Sequence, residues 1–283
     1  MKTLLTGNAA STSQSNLPQS NLPQSNLPQS NKEWQAWGER DPLYGVIPQP
    51  GRERDGATPW TDEEFYQTGR NDWEELLQRW RRYGVERESC VEIGCGAGRL
   101  TRHIAQDFAE VHGLDVAAGM IDYARQHVPA NVHLHMTNGT SLPVPDHSVT
   151  AVFSVIVFLH FDRIEYAAAY FREMARALKP GGTIMIQMPL HQWPGNLKPI
   201  VRGWFASAHS AYMALRRSKG WYHRFRLSRH QWSPFMQSIT YDAAWVHETL
   251  SSLGFRDIET CSFQLSRGGA VYSWVFARKA SQE

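Results

Sequence analysis

Cysteine is scarce in this chain: Cys90, Cys95 and Cys261 are the only three among 283 residues. An odd, widely spaced set forms no disulfide framework and no zinc-ligand pattern, which points to a reducing compartment. No run approaches the roughly 18 apolar residues of a membrane-spanning helix. The start, Met1-Lys2-Thr3-Leu4-Leu5, has almost no apolar segment behind its lysine, so no secretory signal is expected,. The expected setting is cytoplasmic. A charge excess is also missing: 29 basic residues against 27 acidic ones leave a net charge of +2. That balance argues against a globally basic nucleic-acid binder. Hydrophobic residues make up 42% of the chain, which excludes wholesale disorder,.

The first 31 residues stand apart. Ser-Asn-Leu-Pro-Gln repeats three times from Ser15 to Gln29, and Lys2 is the only charge before Lys32. A proline in every five residues blocks helix, and so little apolar surface cannot offset the entropy of ordering. Residues 1–31 therefore read as a disordered repetitive tail. Residues 32–85 read as a helical segment rich in tryptophan. Thr61 with Glu64 forms a capping-box pattern that opens a short helix. Asn71 with Glu74 reads as a second helix start, followed by Trp73, Leu76, Leu77 and Trp80 at helical spacing and closed by Gly84.

From Cys90 onward strands and helices alternate. Val91–Ile93, Val111–Leu114, Val132–Met136, Thr150–Val155 and Thr183–Met188 read as strands. Leu100, Ile104 and Phe108 mark one intervening helix, and Met120, Ile121 and Ala124 the next. Asp162 reads as the cap of a third, whose buried side carries Ile164, Phe171, Met174 and Leu178. This order predicts a Rossmann-like α/β fold with a mostly parallel sheet and helices on both faces. Residues 242–253 read as a helix stopped by Gly254. Residues 255–262 and 270–278 then read as two strands, antiparallel because their connection is short.

One segment carries the chemistry. Val91-Glu-Ile-Gly-Cys-Gly-Ala-Gly-Arg-Leu100 follows a strand and opens a helix, with Gly94, Gly96 and Gly98 spaced G-x-G-x-G. Such a turn admits close backbone approach to a ligand and aims free N–H groups at it. Asp115, at the end of the second strand, is suited to accept from both hydroxyls of a ribose. These features alone indicate an adenosine-containing cofactor, and a nicotinamide enzyme stays open at this point. The spacing differs from G-x-G-x-x-G, however, since Arg99 stands where the last glycine of that fingerprint falls. Glu92 precedes the first glycine by two residues. A further segment, Asn138 to Ser154, leads into the fourth strand, and Leu178-Lys-Pro-Gly-Gly182 precedes the fifth.

In these four segments, taken in order, the chain resembles the class I S-adenosylmethionine-dependent methyltransferases, in particular the small-molecule group called methyltransferase type 11. The resemblance spans residues 88–190 well and the C-terminal helix and strand pair loosely. It implies a seven-stranded sheet with an antiparallel last strand, and S-adenosylmethionine as cofactor. It also implies that Glu92, Gly94, Cys95, Gly96 and Gly98 hold the methionine portion, and that Asp115 holds the ribose. Val116 and Met120 would lie near the adenine, and Gly139 would offer its N–H to the ring. Asn138 stands where the family often has an aspartate that accepts from the adenine amino group. Ser154 and Val155 would lie under the cofactor. Cys95 reads as a small loop residue and not as a nucleophile.

The acceptor is less legible. His160, after the fourth strand, is the best candidate for a general base, because an imidazole titrates near neutrality. A structural histidine seating the next helix is the competing reading. His191 and Tyr66 are weaker candidates, and Tyr66 with Arg70 is alternatively a lid over the cofactor. Residues 191–240 read as a substrate cap. From His191 to His230 there are eight Lys or Arg residues and no acid, and Trp204 and Tyr212 lie on an amphipathic pattern,. Such a basic stretch suits an acceptor bearing carboxylate or phosphate. Contact with anionic lipid headgroups and an ordinary solvated helix face are the other readings. No Asn/Asp-Pro-Pro-aromatic tetrapeptide and no Pro-Cys pair occur where nucleic-acid base methylation would need them, and no metal cluster is expected. The function expected is transfer of a methyl group to a small-molecule acceptor. A non-catalytic cofactor-binding protein is the alternative. Oligomeric state, and whether the acceptor atom is O, N or C, stay open.

Overall fold

A computed structural model describes residues 30–191, 239–266, 268 and 270–281. The repetitive tail to residue 29, most of the basic segment with Trp204 and Tyr212, and Arg267 and Gly269 lie outside the described residues.

Three helices open the described chain: α1 (Ser30–Arg40), α2 (Pro42–Val46) and α3 (Asp62–Tyr83). The α/β core follows as β1 (Ser89–Ile93), α4 (Thr101–Asp107), β2 (Glu110–Asp115), α5 (Ala118–Arg125), β3 (Val132–Met136) and β4 (Val149–Ser154). A 3-10 turn (Phe158–His160), α6 (Ile164–Ala177), β5 (Leu178–Gln187) and β6 (Leu190–His191) come next. The chain ends with β7 (Tyr241–Asp242), α7 (Ala243–Ser252), β8 (Phe255–Phe263) and β9 (Tyr272–Lys279). One seven-stranded sheet has the order β3-β2-β1-β4-β5-β9-β8. β9 is antiparallel to both neighbours, and β1 to β5 are mutually parallel. β6 and β7 form a separate two-stranded pair. The strand order reverses between β1 and β4, and a sheet of this kind leaves a crevice at the carboxyl ends of those strands.

The central strands β1 and β4 are buried along their whole length. Side chains on a strand alternate between faces, and the alternation divides the core in two. Val91, Ile93, Val152, Ile184 and Ile186 pack with Phe171 and Met174 of α6 and with Val246 and Leu250 of α7. Cys90, Ala151, Phe153 and Met185 pack with Leu100 and Ile104 and with Trp73, Leu76, Leu77 and Trp80 of α3. Burying each leucine or phenylalanine in these layers contributes roughly 1.5–3 kcal/mol. A third cluster joins Leu43, Ile47, Phe65 and Tyr66 to Ala97, Ala117 and Met120, so the N-terminal helices pack over the core.

The capping box is present. Thr61 Oγ1 accepts from the Glu64 N–H and Glu64 Oε2 accepts from the Thr61 N–H, both at 3.3 Å. Gly84 closes α3 with φ +97°. Four local expectations are corrected. α3 is continuous, and Asn71 is no helix start; its Oδ1 accepts from Gln67 one turn earlier at 2.8 Å, so it does not compete for a backbone N–H,. Asp162 does not cap α6, which begins without a side-chain cap; its Oδ2 accepts from the Ser30 N–H at 3.2 Å. Leu178 opens β5 rather than continuing the helix, and the Lys-Pro-Gly-Gly run lies inside that strand at an irregularity of register. Helix begins at Ser30, so Ser30 and Asn31 belong to α1 and not to the tail.

Candidate functional site

At the carboxyl ends of β1, β2 and β4 lies a cleft holding about 930 Å³ of empty space, part of it open to solvent. Its floor is the turn that leaves β1. Gly94 there has φ +75°, and a Cβ added to it would sit 2.2 Å from Val157 Cγ2, so any other residue would both strain the turn and fill the cleft wall,. The Gly94 and Cys95 N–H groups both donate to Leu114 O, at 2.7 and 2.9 Å, which ties the turn to β2.

Two carboxylates face this turn. Asp115 Oδ2 accepts from the Gly96 N–H and Oδ1 from the Ala117 N–H, each at 2.9 Å. Burial raises the Asp115 pKa, opposed by these backbone bonds. Glu92 is 2% exposed, and among the described residues its Oε2 has no hydrogen-bond partner. Burial pushes its carboxyl up to about 7, against the pull of Thr101 and Arg99. A buried carboxylate oxygen without a hydrogen bond is costly, and a bound cationic group would satisfy it. The donor set of an amino-acid-bearing nucleoside fits this floor: a carboxylate for an ammonium, a glycine backbone for close contact, and an acid for a diol.

Of the residues expected from sequence, Glu92, Gly94, Cys95, Gly96, Asp115, Val116, Met120, Val155 and His160 all line the cleft. Burial pushes the Cys95 thiol up, which keeps it protonated. Others do not line it. Gly98 packs away from the cleft, toward Val128 and Ala124. The Ser154 hydroxyl is fully buried and donates to Ile93 O at 3.0 Å, bracing β4 against β1. Asn138 Oδ1 accepts from Thr140 N, Thr140 Oγ1 and Ser141 Oγ within its own turn. Gly139 lies behind the Asn31 side chain. Tyr66 is buried and its hydroxyl donates to Ala97 O at 2.8 Å, so it braces the glycine turn from behind. Arg70 is exposed, pairs with Glu74 on α3 and does not line the cleft. His191 lies on β6, paired in register with Asp242 of β7, and does not line the cleft.

The sequence reading missed the roof. Ser30, Asn31 and Trp34 of α1 and Val46 of α2 line the cleft. The Asn31 amide Nδ2 donates to Asn138 O at 2.8 Å, and the Trp34 ring meets His160 edge-on at 5.1 Å. The density of tryptophan before the core was the available signal that this segment packs on something, but it did not say on what. Arg99 also lines the cleft, pinned by Asp72 of α3. Phe161 and Tyr170 complete the wall beside His160.

Residues 91–186 match a family model described as a methyltransferase domain. The chain is 35% identical over 120 residues to the biotin biosynthesis bifunctional protein BioHC of Cellvibrio japonicus, covering 42% of this chain and 23% of that protein. It is 30% identical over 143 residues to the malonyl-[acyl-carrier protein] O-methyltransferase of Yersinia pestis, covering 50% of this chain and 51% of that one. The chain thus spans about half or less of the length of these relatives. A solved DhpI–SAH complex superposes with a TM-score of 0.54 at 17% identity, covering 89% of this chain and 96% of that one; this likeness establishes the fold. Among the described residues no helix is long and apolar enough to cross a membrane.

Proposed function

We propose that this chain, whose residues 91–186 match a methyltransferase domain, is a class I methyltransferase of the type 11 group that uses S-adenosylmethionine and transfers its methyl group to a small-molecule acceptor carrying an acidic group. The observation that carries the reading is the unpartnered, buried Glu92 Oε2 on a floor shared with the Gly94–Gly96 backbone and Asp115. When bound, S-adenosylmethionine supplies an electrophilic methyl group on a sulfonium. Glu92 would hold the ammonium of the methionine portion. Asp115, pre-oriented by the Gly96 and Ala117 N–H groups, would accept from the ribose hydroxyls.

His160 lines the cleft in the turn after β4 and would take the proton of the acceptor,. Trp34, Phe161 and Tyr170 flank it and would exclude water. The basic run between His191 and His230 supports the acidic acceptor. The described chain that resumes at Ile239 packs on the turn bearing His160: the Ile239 N–H donates to Leu159 O at 2.8 Å, and the Tyr241 hydroxyl donates to Phe158 O at 2.7 Å. The Yersinia relative is named as an O-methyltransferase of malonyl-[acyl-carrier protein], an acceptor borne on a carrier protein.

Side-by-side calorimetry with S-adenosylhomocysteine and NAD tests the cofactor; binding of NAD alone overturns the reading. Turnover with a panel of carboxylate and phosphate acceptors tests the chemistry. Tight S-adenosylhomocysteine binding without transfer to any acceptor would favour a sensor over an enzyme.

A further inference from the structure

We infer that Asn31, carried into the cleft by α1, is the side chain that distinguishes the amino-bearing edge of the adenine ring; this rests on the cofactor reading above. Sequence position assigns that task to Asn138, but an amide oxygen has two lone pairs, and Asn138 Oδ1 already accepts from Thr140 N at 3.0 Å, Thr140 Oγ1 at 2.9 Å and Ser141 Oγ at 3.3 Å. Asn138 does not line the cleft, whereas Asn31 does. The Asn31 amide lies over Gly139: a Cβ built there would be 3.0 Å from Asn31 Oδ1 and 3.2 Å from Nδ2, with Val116 Cγ1 next at 3.3 Å. Val116 follows Asp115, so this is the end of the cleft beyond the ribose acceptor.

The orientation of the Asn31 amide is fixed, which gives it selectivity. Nδ2 donates to the main-chain O of Asn138 at 2.8 Å. A carbonyl accepts only, so the amide cannot turn over without losing that bond, and Oδ1 is held as an acceptor. An exocyclic amino group donates to such an oxygen; an exocyclic carbonyl is repelled by it. α1 is itself held down along its length. The Ser30 N–H donates to Asp162, Gln35 Nε2 donates to Val116 O at 3.4 Å, and Gly38 O packs so closely on Gly119 that a Cβ there would lie 2.4 Å away.

The test is calorimetry on the full chain with S-adenosylhomocysteine and S-inosylhomocysteine, for the natural protein and Asn31→Ala. The natural protein should prefer the adenosyl compound. Asn31→Ala should bind it about three- to tenfold more weakly, the effect of losing one neutral hydrogen bond, and should lose most of the preference. An unchanged thermal midpoint shows that the variant is folded; if it is not, Asn31→Ser provides the same comparison. Unaltered affinity and preference in a folded variant overturn the role of Asn31. Failure of the natural protein to bind either compound overturns the cofactor reading instead.

Discussion

Arg99 Nη1 lies 2.7 Å from Asp72 Oδ2, and the two side chains are 8% and 2% exposed. The pair ties the middle of α3 to the end of the glycine turn, so a helix outside the sheet helps set the cleft floor. Removing one partner of a buried pair leaves an uncompensated charge. Asp72→Ala should lower the unfolding free energy by about 3–5 kcal/mol in urea denaturation. Asp72→Ala with Arg99→Ala should lose less than the sum of the single variants. A loss under about 1 kcal/mol for Asp72→Ala would show that water replaces the pairing.

Asp115→Ala removes both the proposed ribose acceptor and the acceptor for two backbone N–H groups. Affinity for S-adenosylhomocysteine should fall on the order of 100-fold, as expected for losing hydrogen bonds to a charged group. Asp115→Asn, which keeps the shape, should lose less. Equal affinity in all three proteins would show that the ribose is held elsewhere.

The Glu92 carboxyl has its folded pKa raised by burial from 4.5 to about 7. Between those values the folded state binds more protons than the unfolded state, so this group makes the ligand-free protein less stable as pH rises from 4.5 to 7. Glu92→Gln should remove that decline, read as the urea midpoint against pH. Holding an ammonium requires the ionised form, so affinity for S-adenosylhomocysteine should rise through pH 7 in the natural protein. In Glu92→Gln it should be weak and flat over the same range.

On the far edge of the sheet, His112 Nδ1 is 3.3 Å from His135 Nε2, and Glu110 Oε1 is 3.2 Å from His133 Nε2 and 3.5 Å from His112 Nε2. Burial lowers the His112 pKa from 6.5 to about 4, with His135 and His133 adding to the effect and Glu110 opposing it. Burial lowers His135 as well. Both groups contribute full stability above pH 6.5. That stability is lost as pH falls toward 4, because the unfolded chain takes up protons first. This contribution runs opposite to that of Glu92, so it is read as a difference: the midpoint of the natural protein relative to His112→Gln should drop as pH falls from 6.5 toward 4,.

Local signals were read from single segments. Thr61 and Glu64 are three residues apart, and their reciprocal bonds form wherever that helix starts. Gly94 and Gly96 follow a strand directly, and their φ values of +75° and +53° are ones that glycine adopts without steric cost,. Asp162 has the type and spacing of a cap, while the N–H it accepts from belongs to Ser30, 132 residues earlier. Asn71 likewise has the pattern of a cap residue, which does not show that Gln67 already satisfies it.

The sheet, the glycine turn and the two carboxylates are legible along the chain, because alternation of period two, helical spacing and turn glycines act over a few residues. Which side chains roof the cleft depends on packing between distant segments. Asn31 meets Asn138, and Arg99 meets Asp72, across chain separations of 107 and 27 residues. Such a contact exists only after both segments have packed on the same core, so no spacing along the chain encodes it.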